Sequence, residues 1–177
     1  MARTLIYLLR RDLRLADNPV FAELAKFSSQ SQAPFTHLLP LYVFPAQQIE
    51  VSGFIPAPAT GSSAPCPYPE ARSEVGKFPR CGHHRAAFIA ESVWDLKRTL
   101  EAVGSGLEIR VGMMGEVVEK LLREWRGGDV HGVWMTGEEG VEEKREERDV
   151  ERAVRLAGKE FKPVSYTHLT LPTIYSV

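Results

Sequence analysis

The sequence predicts an α/β fold, a Rossmann-like parallel sheet with helices on both faces. Three observations predict it. Short apolar runs alternate with stretches of helical period, in the order β-α-β-(long loop)-α-β-α-β-α. At 177 residues and 44% apolar, the chain is long enough for one domain with a real core. A charged stretch, Arg10 to Asn18 (RRDLRLADN), sits where the first strand hands over to the first helix. In an open α/β sheet that is the carboxyl edge, where ligands bind.

The elements follow in order. Leu5 to Leu9 is short, apolar on both faces and ends in charge, as a buried parallel strand does. Asp17 and Asn18 are helix-capping residues, and Pro19 suits the first helical position. Val20, Phe21, Leu24 and Phe27 then recur at helical spacing. His37 to Phe44 reads as a second strand, with Pro40 as a defect that belongs at an edge or a bulge. Residues 45–79 carry seven prolines with Ser and Gly clusters, and predict a long irregular loop. From His83 a helix places Phe88, Ile89, Val93, Leu96, Leu100 and Val103 on one face, and Gly104 stops it. Leu107 to Val111 is a third strand. Glu116 to Trp125 is an amphipathic helix broken by Gly127 and Gly128. Val130 to Met135 is a fourth strand, and Val141 to Leu156 a last helix.

Several function classes lose ground on composition. The net charge of −1 supplies no global field toward nucleic acid or an anionic membrane. No apolar run approaches bilayer length, so no membrane partner is expected. Cys66 and Cys81 are too few for a disulfide framework and suit a reducing, intracellular compartment, with no organelle distinguished. The start has arginines and no acid before Asp12, as a transit peptide would. Its apolar run reads better as a strand, and no small-residue cleavage site is evident. Neither GxGxxG nor GxxxxGK[ST] follows any strand, which argues against a dinucleotide dehydrogenase or a P-loop hydrolase. Cys81, His83 and His84 are metal-ligand types without a second matching pair, so no metal site is predicted.

After Lys162 the chain changes character. PVSYTHLTLPTIYSV has no charge, three threonines and no helical period. Read back into DNA, VSYTHLTLPT matches a translated transposon-end sequencing adapter. Residues 163–177 are therefore expected to be a non-native tail. The natural chain is expected to continue past Lys162, leaving the last strand or strands of the sheet missing through truncation.

With these pieces in place, LIYLLRRDLRLADNPVF resembles the N-terminal signature of the photolyase/cryptochrome family. HRAAFIAESVWDLKRTLEAVGSGLEIRVG resembles that family's second helix and third strand. VWMTGEEGVEEKREERDV resembles its fourth strand and the helix after it. The resemblance covers residues 4–162. YPEARSEVGKFPRCGHHRAAF is similar to the DASH cryptochromes, the fungal type in particular.

The resemblance implies an antenna domain that binds a light-harvesting folate, methenyltetrahydrofolate. It implies a helical domain, absent here, that holds FAD and damaged, single-stranded DNA. The parent would then repair cyclobutane pyrimidine dimers by light-driven electron transfer, as a deoxyribodipyrimidine photo-lyase. The fragment, lacking FAD, would be inactive by itself. A non-catalytic blue-light photoreceptor module and an unrelated nucleotide-binding domain are the alternatives.

For the site, the resemblance gives Arg10, Arg11, Asp12 and Arg14 a binding or docking role. It also gives the acidic turn a carboxylate for the amino-pyrimidinone of a pterin, Glu142 first and Glu143 second. The bland reading of that turn is a solvated face favoured by the helix dipole. Against it stand the like-charge i,i+4 pairs Glu138/Glu142, Glu139/Glu143, Glu142/Glu146 and Glu143/Glu147. Trp94, Trp125 and Trp134 are expected to be packing residues, because the family's tryptophan chain lies in the absent domain.

Overall fold

The computed structural model describes residues 2–28, 33–51, 67–68 and 71–165. Its elements are β1 (Arg3–Leu9), α1 (Pro19–Ser28), β2 (His37–Pro45), α2 (His83–Ala102), β3 (Glu108–Gly112), α3 (Met114–Glu124), β4 (Asp129–Thr136), α4 (Val141–Leu156) and β5 (Glu160–Val164). The strands form one parallel sheet in the order β3-β2-β1-β4-β5. The winding starts at β1, runs outward through β2 and β3, and crosses back to β4 and β5.

Strand periodicity builds the three layers. Leu5, Tyr7 and Leu9 pack with Val20 and Leu24 of α1 and with Val93, Leu96 and Leu100 of α2. Ile6 and Leu8 pack with Met114 and Val118 of α3 and with Val150 and Val154 of α4. β1 is therefore apolar on both faces because each face meets a helix layer.

Local chemistry sets the ends. Asn18 caps α1, its Oδ1 accepting from the backbone N–H of Val20 at 3.0 Å and of Phe21 at 3.1 Å. Asp17 does not share that role. It takes a left-handed turn conformation, φ 55°, which Asp tolerates better than most residues. Helix α2 closes on Gly104 at φ 78°, with Ser105 N–H bonded to the Leu100 carbonyl and Gly104 N–H to that of Glu101.

Pro40 sits inside β2, opposite Tyr7 of β1, but β3 joins only from Leu41. The ladder thus does not flank Pro40 on both sides, which is how a strand tolerates it. β5 pairs with β4 from Gly132↔Glu160 to Thr136↔Val164, so the ordered strand runs two residues past Lys162. The sheet has its fifth strand, where the sequence predicts that the last is missing.

Two expectations about helix faces need correction. Phe88 and Val103 do not point inward with Val93 and Leu96; both are exposed. Phe88 lies five residues before Val93, on another side of α2, while its neighbour Ile89 packs on the core, and Val103 is the C-cap just past the helix. The 45–79 stretch is also less irregular than expected where it is described. Arg72 and Pro79 form an antiparallel bridge, with Ser73 N–H bonded to the Phe78 carbonyl at 3.0 Å. Most of GSSAPCPYP lies outside the described residues. Trp134 is core, with the Lys162 ammonium 4.2 Å above its ring, while Trp125 is half-buried and Trp94 exposed.

Candidate chromophore site at the carboxyl edge

The crevice between the carboxyl ends of β1 and β4 is where the strand order reverses. Arg10 and Arg11 leave β1 there, and Glu138, Glu143 and Glu146 leave β4 and α4. Arg10 Nη2 donates to Glu146 Oε2 at 2.7 Å and to the Glu143 carbonyl at 3.2 Å. Arg11 pairs with Glu143, and its Nη1 lies 3.3 Å from Glu138 Oε2. Gln47 and Gln48, on the turn after β2, both donate to Glu146. Arg10, Glu143 and Glu146 are buried.

The acidic run is therefore only in part a solvated face, with Glu139 and Glu142 exposed and Glu143 and Glu146 buried. Glu139 and Glu147 share Lys144 at 3.6 Å, Glu142 pairs with Arg80, and the rest meet Arg10 or Arg11. Opposite charges from β1 and from the loop before α2 offset the like-charge cost along the helix. Glu143 is the third helical residue, folded back over Gly140, where a Cβ would collide with its Oε2. Hydrogen bonding to its own backbone N–H, with the charges of Arg11 and Arg10, holds its carboxyl below the usual carboxylate range, against burial.

Beside this network the edge opens into a cleft of about 680 Å³, within the range of ligand pockets. One wall is the loop after β1, Arg10 to Arg14. The floor is Tyr42, Pro45, Gln48 and Ile49. The other wall is α2, with Arg85, Phe88, Ile89, Ser92 and Asp95. Phe88 is 69% exposed. Arg85 has no ion-pair partner among the described residues. Burial pushes the Tyr42 hydroxyl up to about 12. A hollow of about 130 Å³ adjoins the cleft and shares Arg11, Gln48, Ile49, Arg85 and Ile89 with it. Arg80, Cys81 and Glu142 complete the hollow.

Of the expected site residues, Arg10, Arg11, Asp12 and Arg14 all line the cleft. Arg14 Nε reaches Asp12 Oδ1 at 2.9 Å, forming the lip. Glu142 stands at the hollow, whereas Glu143 is drawn inward to Arg11. Sequence reasoning missed Glu146, Gln47, Arg80, Arg85 and the placement of Phe88. Two of these carried a signal. Glu146 shares the helical spacing of the buried Val150 and Ala153, and Gln47 directly follows a strand at the carboxyl edge.

The cleft and its adjoining hollow together carry groups that suit a folate. The Glu142 carboxylate on the hollow suits an amino-pyrimidinone, the exposed Phe88 ring of the cleft a flat heterocycle, and the Arg85 cation an acid tail.

Comparison with known proteins places this architecture. The DNA photolyase family model matches residues 5–173. A putative mitochondrial cryptochrome DASH of Neurospora crassa is 47% identical over 91% of this chain and 21% of its own length. A putative cryptochrome DASH of Gibberella zeae is 43% identical over 90% of this chain and 22% of its own length. The chain thus spans about a fifth of the length of these curated relatives.

Among solved structures, the Synechocystis cryptochrome superposes with a TM-score of 0.67 at 20% identity, over 94% of this chain and 28% of that one. An archaeal photolyase from Sulfolobus tokodaii, described with two FAD molecules and a novel light-harvesting cofactor, gives 0.60 at 17%, over 98% and 32%. Among the described residues no helix is long and apolar enough to cross a membrane. The signature run of β1, the parallel sheet wound outward from it, and a family match over nearly the whole length agree: the chain belongs to the DNA photolyase family, as a counterpart of its N-terminal α/β domain.

Proposed function

We propose that this chain is the antenna domain of a longer blue-light flavoprotein, and that it binds methenyltetrahydrofolate at the carboxyl edge. The observation that carries the reading is Glu142, a half-exposed carboxylate on the small hollow that adjoins a ligand-sized cleft with an exposed Phe88 on its wall. Bound there, the folate supplies near-UV absorption. The residues of this chain hold and orient it.

Glu142 accepts the paired N–H groups of the amino-pyrimidinone. Phe88 and Ile89 take the flat ring, and Arg85 meets the acid tail. Glu143 is excluded from direct contact because Arg11 and its own helix end occupy it. The buried arginine–glutamate network keeps the edge rigid, so that a docked helical domain with FAD and damaged DNA finds the chromophore in a fixed orientation. The same reading makes residues 163–177 an adapter-derived tail. Resequencing the genomic locus without that adapter checks this, and an unchanged tail refutes it.

The test of function is the absorption spectrum of the full-length protein from the complete gene. A near-UV folate band beside flavin bands is expected, and Glu142→Ala should remove the folate band while leaving the flavin. Flavin alone in the unsubstituted protein, or undiminished folate in Glu142→Ala, refutes the assignment. Repair of dimer-containing DNA under blue light then separates an enzyme from a photoreceptor.

A further inference from the structure

We propose that Arg80 is a positioning residue for Glu142, fixing the carboxylate that reads the chromophore; this rests on the folate assignment above. Arg80 is held by three contacts. Its backbone N–H donates to the Ala71 carbonyl at 2.8 Å, its Nη1 to the Gln47 carbonyl at 3.4 Å, and its Nη2 to Glu142 Oε1.

The segment that carries Arg80 is itself folded, through the Arg72–Pro79 bridge and a 2.9 Å bond from Arg72 Nη1 to the Lys77 carbonyl. The guanidinium thus joins the turn after β2 to the first turn of α4, two elements that meet at the cleft. Glu142 has no other partner among the described residues, and its side chain is half-exposed. Without Arg80 it would sample several rotamers in water.

The contact leaves room for a ligand. Arg80 engages Oε1 only, so Oε2 and the second lone pair of Oε1 stay available for two parallel N–H donors. Arg80 and the amino-pyrimidinone bind the carboxylate together, one on each side. This also separates Glu142 from Glu143. The guanidinium from the loop before α2 holds one at the rim, and the guanidinium from β1 draws the other inward.

The test titrates the folate-free full-length protein with methenyltetrahydrofolate. Arg80→Gln is expected to raise the Kd roughly tenfold, the loss that goes with one charge-assisted contact. Induced circular dichroism in the folate band at saturation should weaken with it. Arg80→Lys should recover most of both, with thermal midpoints unchanged throughout. In the double variant Arg80→Gln/Glu142→Ala, the arginine change should add nothing to the loss from Glu142→Ala. Unchanged or tighter binding in Arg80→Gln, with Glu142→Ala weakened, overturns the positioning role and leaves the folate assignment standing. Additive losses in the double variant, or no recovery by lysine, overturn it equally. Unchanged binding in Glu142→Ala overturns the folate assignment itself.

Discussion

Arg10 and Glu146 meet out of reach of solvent. Nη2 of the arginine lies 2.7 Å from Oε2 of the glutamate, with the side chains 2% and 6% exposed. The pair ties the end of β1 to the second turn of α4. Each partner has further contacts, Arg10 with the Glu143 carbonyl and Glu146 with Gln47 and Gln48. Removing one member leaves an uncompensated charge in the interior, at a cost of roughly 3–5 kcal/mol. Glu146→Leu and Arg10→Met are each expected to lower the unfolding free energy of this chain in urea by that amount, with a lower midpoint and an unchanged slope. Arg10→Lys should not rescue, because an ammonium cannot reproduce the fork that serves Glu146 and the carbonyl together. A loss under about 1 kcal/mol would show that the pair is not structural.

The same pair shows what the sequence could and could not disclose. Strand ends and helix ends were legible because period, caps and breakers are local. Asn18, Gly104 and the charged edge after Leu9 stand where their chemistry places them. The partners of the charges were not legible, because they are set by which strands adjoin. β1 and β4 are neighbours in the sheet though far apart in the chain, so Arg10 finds Glu146 across 136 positions. A run of acids on one helix looks like a solvated face until its cations arrive from elsewhere. Phe88 failed for a different reason. It stands five residues before Val93, roughly 140° round the helix from it, whereas Ile89, at the matching i,i+4 spacing, packs on the core.

Acid pH should act on this edge through Glu143. Its folded carboxyl lies below the ordinary value, about 4.3 in an unfolded chain. The stabilisation is therefore present in full above that value and is lost as pH falls through the folded pKa. Denaturation free energy is expected to decline below about pH 4, and Glu143→Gln should flatten that limb while lowering stability at neutral pH. Parallel acid limbs for the two proteins would contradict the assignment.

Tyr42 contributes to the alkaline limb, together with the buried Tyr7. Burial on the floor of the cleft raises the Tyr42 hydroxyl to about 12. A raised value means that the contribution is complete below the unfolded value of about 10 and disappears as pH rises toward 12. Stability should fall between these limits, and Tyr42→Phe should remove much of the slope. Tyrosinate absorbance checks the cause. Burial raises Tyr7 as well, so the unsubstituted chain should show two late-titrating tyrosines and Tyr42→Phe one.

Phe88 separates packing from binding most sharply, because it lines the cleft yet lies mostly in water. Truncating an exposed ring away from other special features changes stability within about 0.5 kcal/mol. Truncating the fully buried Val93, further along the same helix, should cost about 1–3 kcal/mol. Phe88→Ala is therefore expected to melt like the unsubstituted chain, and Val93→Ala several degrees lower. If a flat chromophore lies on the ring, Phe88→Ala should weaken folate binding to the full-length protein by roughly the 0.5–1.5 kcal/mol of an aromatic pair. Phe88→Tyr and Phe88→Trp should retain binding, because each keeps a ring on that wall. Undiminished or tighter binding in Phe88→Ala would place the chromophore elsewhere. A destabilised Phe88→Ala would show that the ring packs against a part of the molecule that covers this wall.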